Sequence, residues 1–169
     1  IGIDMIAETV IVATCVSHQS VAKVLIFRFS PNYGNLAHVD YIQEFLFFAS
    51  LDGPRLDHTI ANFQTLGYLA THGARGTLIG RDYIATVLKA ESIEFSENAE
   101  GILSLFCLGE AAEVSIEGLK YGLDHGTLTP DFPLGVSNHF EGNKAGITVH
   151  SGLVLALWDR CNGLGVRRC

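Results

Sequence analysis

The feature that most narrows the fold is a change of hydrophobic period near Thr77. Downstream of it, apolar residues come in short runs at 77–80, 84–88, 101–107, 113–116, 146–149 and 153–158. Turn residues separate most of these runs: Gly80-Arg81-Asp82, Ser96-Glu97-Asn98, Gly109, Asp131 and Glu141-Gly142-Asn143-Lys144. Many short strands with no helix between them predict an all-β sandwich. Upstream the pattern is different. Residues 10–16 and 24–29 are continuous apolar runs, and 45–51 is a third. Runs that are apolar on both faces suit a buried parallel sheet. Val39, Ile42 and Leu46 recur at helical spacing within 36–46. Residues 59–72 predict a second helix, with Ile60, Phe63, Leu66 and Ala70 on one face and Gly73 at its carboxyl end.

The expected architecture is therefore an α/β N-terminal domain built on a parallel sheet, followed by a C-terminal all-β sandwich. The boundaries read as 1–76 for the α/β domain, 77–158 for the sandwich and 159–169 for an exposed tail carrying Arg167 and Arg168. The chain opens on Ile1-Gly2-Ile3-Asp4 without an initiating methionine, so the α/β sheet is expected to be N-terminally truncated.

Composition excludes several functions. Of the 169 residues, 48% are hydrophobic and 17% charged, which is enough to bury a core and too apolar for a disordered chain. The formal net charge of -7 opposes a nucleic-acid surface and suits a cationic small substrate. No run approaches the ~18 consecutive apolar residues of a membrane span, and no basic segment precedes an apolar one as in a signal peptide. Cys15 and Cys107 lie in apolar runs, and neither Cys161 nor Cys169 completes a CxxC pair. The expected setting is reducing and cytoplasmic, with a Cys161–Cys169 disulfide as the alternative. Seven scattered histidines make no HxxxH or HExxH spacing, so no zinc site is expected. Neither GxxxxGK[ST] nor GxGxxG occurs.

Four motifs carry the chemistry. Gly53-Pro54-Arg55-Leu56-Asp57-His58 lies where an α/β strand would end, the usual place for a ligand loop. Arg55 could reach phosphate oxygens and Asp57 a metal, or the two could form a local ion pair with Asp57 capping the helix. His58 reads as a nucleotide contact or as a first-turn helix residue. Gly118-Leu119-Lys120-Tyr121 offers an aromatic face able to stack on a cationic ring, though Tyr121 reads equally as a core strand residue. Lys120 alternates with it and is expected to face solvent. In Gly135-Val136-Ser137-Asn138, the glycine permits close backbone approach, and Ser137 and Asn138 offer short polar groups to a substrate or to their own turn. The fourth motif is the alternating Gly146-Ile147-Thr148-Val149-His150-Ser151-Gly152-Leu153.

In this order, the motifs resemble those of the thiamine pyrophosphokinase family, over roughly residues 45 to 158. The resemblance implies an enzyme that moves the pyrophosphoryl group of ATP onto the hydroxyl of thiamine, giving thiamine diphosphate and AMP. It implies a homodimer with thiamine between subunits, magnesium held by carboxylates of the α/β domain, and ATP as co-substrate. It assigns Arg55 and Asp57 to catalysis, Arg55 and His58 to the nucleotide, Asp4 to the metal, and Tyr121, Ser137 and Asn138 to thiamine.

The chain departs from the family pattern at its start. The Asp-Gly-Gly strand end is missing, and the Gly-Asp-x-Asp-Ser motif reads Gly2-Ile3-Asp4-Met5-Ile6, which keeps one aspartate. Asn32, Gly34 and Asn35 stand where aspartates are expected, and Pro54 replaces a glycine. Neutral amides bind magnesium poorly, so a catalytically impaired thiamine-binding homologue is the alternative expectation.

Overall fold

The computed structural model describes residues 9–15, 22–28, 43–48 and 56–168. Two sheets form the fold. One has eight strands in the order β1-β2-β3-β4-β5-β12-β7-β10, and the other five, in the order β13-β6-β11-β8-β9. In chain order the elements are β1 (Thr9–Cys15), β2 (Ala22–Arg28), β3 (Gln43–Phe48), α1 (Leu56–Thr71), β4 (Ala74–Ile79), β5 (Tyr83–Leu88), β6 (Ser92–Phe95) and β7 (Ile102–Cys107). They continue as β8 (Ala112–Glu117), β9 (Leu123–Leu128), β10 (Asn138–His139), β11 (Ala145–Ser151), β12 (Val154–Asp159), a 3-10 turn (Arg160–Asn162) and β13 (Val166–Arg168).

The alternation in the sequence shows which face each strand buries. In β8, Ala112, Val114 and Ile116 point inward, and in β11 Ala145, Ile147 and Val149 do the same. These residues meet Leu103, Leu105, Val154, Ala156 and Trp158 of the opposite sheet to form the sandwich core. Phe95 packs edge-on against both Phe140 and Trp158, with centroids 5.1 and 5.3 Å apart.

β5 is buried at five consecutive positions for a different reason. Ile84 and Leu88 face the sandwich core, while Ala85 and Val87 face α1 together with Leu155 of β12. Leu66 of α1, 1% exposed, fills the centre of this second cluster, with Phe63 and Ala70 beside it. Ile60, expected on the same face, is 50% exposed. A helix covering the outer side of an antiparallel stretch thus buries both faces of a strand that the sequence placed among the sandwich runs.

The parallel-sheet expectation for 1–76 is corrected accordingly. β1 pairs with β2 and β2 with β3 in antiparallel fashion, and among the described strands only β3 with β4 is parallel, joined through α1. Of the helix expected over 36–46, residues 43–46 are strand β3 instead, and residues 36–42 lie outside the described residues. β4 crosses residue 77 and pairs with β5, so the sheet continues through the point where the period changes.

The stretch from Asp159 is no loose tail. Asp159 Oδ2 accepts from the Ile102 N–H (2.9 Å), and Asn162 bonds both the N–H and the carbonyl of Glu100. The Trp158 indole donates to the Gly163 carbonyl (2.7 Å), and β13 pairs with β6. Cys161 is exposed with a free thiol, while Cys107 is buried and also free. Among the described residues no helix is long and apolar enough to cross a membrane.

Candidate functional site

The loop between β8 and β9 carries Gly118-Leu119-Lys120-Tyr121. Gly118 has φ +69°, and a Cβ there would lie 2.0 Å from the Lys144 carbonyl oxygen, so only glycine fits. Leu119 then dips into the core at 7% exposure and bridges to Phe140. The Lys120 N–H donates to the His139 carbonyl (3.0 Å).

The second loop, Gly135-Val136-Ser137-Asn138, docks beside the first. Its Gly135 carbonyl accepts from the Leu105 N–H (2.8 Å), and a Cβ on Gly135 would stand 2.7 Å from the Leu105 oxygen. The Ser137 N–H donates to Ser104 Oγ (3.0 Å), and Ser137 itself, at φ +61°, is exposed. Asn138 is 4% exposed and joins the loops directly. Its Oδ1 accepts from the Tyr121 N–H (3.0 Å), and its Nδ2 donates to the Tyr121 carbonyl (2.8 Å). The same Oδ1 accepts from the His139 N–H (3.0 Å). One side-chain amide thereby fixes the backbone of Tyr121 as a neighbouring strand would.

The held residue presents its side chain outward: Tyr121 is 59% exposed. The Lys120 ammonium lies 5.3 Å from the Tyr121 ring centroid, so the ring already attracts a cation. Phe132 and Leu134 are also exposed, on the segment that leads into the second loop. A depression of about 210 Å³ lies there, lined by Leu105, Phe106, Leu128, Pro130, Phe132 and Gly135. Chemically, the loop pair offers an exposed aromatic ring on an anchored backbone and an exposed serine, on an acidic chain, an arrangement suited to a flat cationic ring.

Of the residues singled out in the sequence, Tyr121 and Asn138 are bonded to each other, and Ser137 is the chain neighbour of Asn138. Asn138 is engaged with backbone, so its part here is positioning. Asp57 and His58 stand on a separate element, the first turn of α1, where Asp57 is exposed. Asp4 and Arg55 lie outside the described residues. Among the described residues no group of three or more His, Cys, Asp or Glu could hold a metal. Ser104, which fixes Ser137, was not singled out, because a serine within an apolar strand carries no signal until the loop that docks on it is known.

Residues 91–154 match the family model described as thiamin pyrophosphokinase, vitamin B1 binding domain, a segment containing both loops. No curated protein matches the chain. Among solved structures, the chain is similar in fold to thiamine pyrophosphokinase from Bacillus subtilis, with a TM-score of 0.57 and 20% identity over 62% of this chain and 50% of that one. It is similar to thiamin pyrophosphokinase from Candida albicans, with a TM-score of 0.60 and 17% identity over 76% and 48% of the two chains. The yeast enzyme gives 0.54 and 20% identity over 68% and 39%. The chain thus spans about half or less of the length of these relatives. Residues 91–154, which carry both loops, thus match the vitamin B1 binding domain of the thiamin pyrophosphokinase family.

Proposed function

We propose that this chain serves in pyrophosphoryl transfer from ATP to the hydroxyl of thiamine, giving thiamine diphosphate and AMP, with the loop pair as its thiamine site. The observation that carries the reading is the exposed Tyr121, its backbone held by Asn138, inside the segment that matches the vitamin-binding family. Tyr121 would stack on the cationic thiamine, and the exposed Ser137 hydroxyl would hydrogen-bond to it. Asn138 would act through Tyr121. Both loops lie in the sandwich, so the phosphate side of the reaction would come from elsewhere. Arg55, Asp57 and His58 remain the candidates for it, with Asp4 for magnesium and a second copy of the chain completing the site. Magnesium and ATP enter this reading through the family. Asp4, the carboxylate proposed for the metal, lies outside the described residues.

Calorimetry with the 169-residue chain tests the binding half. Thiamine should bind, and Tyr121→Ala should weaken it by about five- to thirtyfold, the loss of a cation–π contact of roughly 1–2 kcal/mol. Absence of binding, or equal binding by the variant, overturns the site. Release of AMP from ATP with magnesium and thiamine tests the transfer half, and thiamine binding without AMP release overturns that half alone.

A further inference from the structure

Away from the ring of Tyr121, four polar side chains converge on the outer face of the five-stranded sheet: Glu113 and Ser115 of β8, His125 of β9 and His150 of β11. His125 Nδ1 lies 2.5 Å from Glu113 Oε1, and Ser115 Oγ lies 2.8 Å from His150 Nε2. The two imidazoles stack, with centroids 4.0 Å apart and planes 12° from parallel. Ser115 Oγ also accepts from the His125 backbone N–H (3.1 Å).

The backbone explains why these contacts matter. Ile116 pairs with Leu123 and Val114 with Gly126, so Ser115 alone faces both Asp124 and His125. This is a β-bulge, and His125 sits in it at φ +47°, a left-handed conformation that glycine adopts freely and other residues resist. The loop carrying Tyr121 occupies the interval between Ile116 and Leu123, so the bulge forms the base of that loop. Asn138 holds the loop at Tyr121, and the bulge sets how the chain leaves it.

We propose that His125 is a positioning residue for Tyr121: its contacts with Glu113 and His150 lock the bulge in a proton-dependent way, so that the Tyr121 loop is held firmly only while the imidazole is protonated. The groups facing His125 are Glu113 from β8, His150 from β11 and Asp124 from its own strand. The hydrogen bond to Glu113 raises the His125 pKa above its ordinary value, the charges of Glu113 and Asp124 add to this, and burial opposes it. A histidine raised in the fold contributes its full hold below its unfolded pKa and loses it as pH rises through the folded value. The anchor is therefore closed in mildly acidic solution and loosens in alkaline solution.

Amide exchange on the 169-residue chain tests this without any ligand. Protection of the Lys120 and Tyr121 amides, corrected for intrinsic pH effects, should fall severalfold between about pH 5.5 and about pH 8.5, which bracket the ordinary histidine value of about 6.5. His125→Gly keeps the left-handed backbone and should give protection that no longer changes with pH. His125→Gln, which can still bond Glu113 but cannot titrate, should also be pH-flat. Flat exchange in the unaltered chain, or pH-dependent exchange surviving in His125→Gly, overturns the proposal. The ligand arm rests on the thiamine reading: the calorimetric affinity for thiamine should weaken alongside the exchange in the unaltered chain and not in His125→Gly. A pH-dependent exchange with a constant thiamine affinity overturns the link to Tyr121. No thiamine binding, with exchange as expected, overturns the thiamine reading and supports the anchor.

Discussion

Removing Asn138 should separate the two loops. In Asn138→Ala the Tyr121 N–H and carbonyl and the His139 N–H all lose a partner within 3.0 Å. Each such bond contributes about 0.5–1.5 kcal/mol net. Tyr121 is more than half exposed, so water can replace part of what its backbone loses, whereas the site of the Asn138 amide is 4% exposed and relaxes poorly. Together these give a loss of about 2–3 kcal/mol. At about 2–4 °C per kcal/mol for a chain of this length, the melting temperature should fall by roughly 4–12 °C. Urea denaturation measures the free energy, and amide exchange at Lys120 and Tyr121 locates it. Asn138→Asp refines the test, because it keeps an acceptor for the two N–H groups but turns a carboxylate oxygen toward the Tyr121 carbonyl. It should be no better than alanine. A loss below about 0.5 kcal/mol in the alanine variant, or full stability in the aspartate variant, would refute the claim that this amide joins the loops.

Two further outcomes follow from the same region. Gly135→Ala places a methyl 2.7 Å from the Leu105 oxygen and 2.9 Å from its Cβ, in a buried strand that cannot yield, and should cost about 1–3 kcal/mol in urea denaturation. The Asp131 carboxyl is held below its ordinary pKa by its hydrogen bond with Thr129, and then by one to its own backbone. The stabilisation it lends the turn is present above the ordinary carboxylate value and lost as pH falls through the lowered one. Thr129→Val should move the Asp131 titration, followed by carbon NMR of the carboxyl, back up, and an unmoved titration would refute the assignment.

Much of the sandwich was legible because inward and outward residues alternate along β8 and β11, and because turn residues fall between strands. β9 was not legible. Its bulge places Asp124 and His125 side by side opposite Ser115 and breaks the period of two. The run at 84–88 was legible as a strand, but its second buried face was not, because its cover is α1, a helix the sequence assigned to the other domain. Tyr121, Ser137 and Asn138 could be singled out from motif order. That Asn138 grips Tyr121 backbone could not, since an asparagine ending a turn reads as a turn-former whether it holds itself or a chain 17 residues away. The stretch after Asp159 read only as an exposed tail because its ties, Asn162 to Glu100 and Asp159 to Ile102, span about 60 residues of sequence and leave no local pattern.

The helix on the outer side of the eight-stranded sheet has a practical corollary. The vitamin-binding match begins at Glu91, and the sequence invites a cut near Thr77, yet a fragment starting there would leave Ala85, Val87 and Leu155 as a bare oily flank facing water. Such a fragment should clump rather than stay dispersed. The smallest piece that behaves well on its own must therefore keep α1, even though none of the helix contributes to the pair of loops proposed to hold the vitamin.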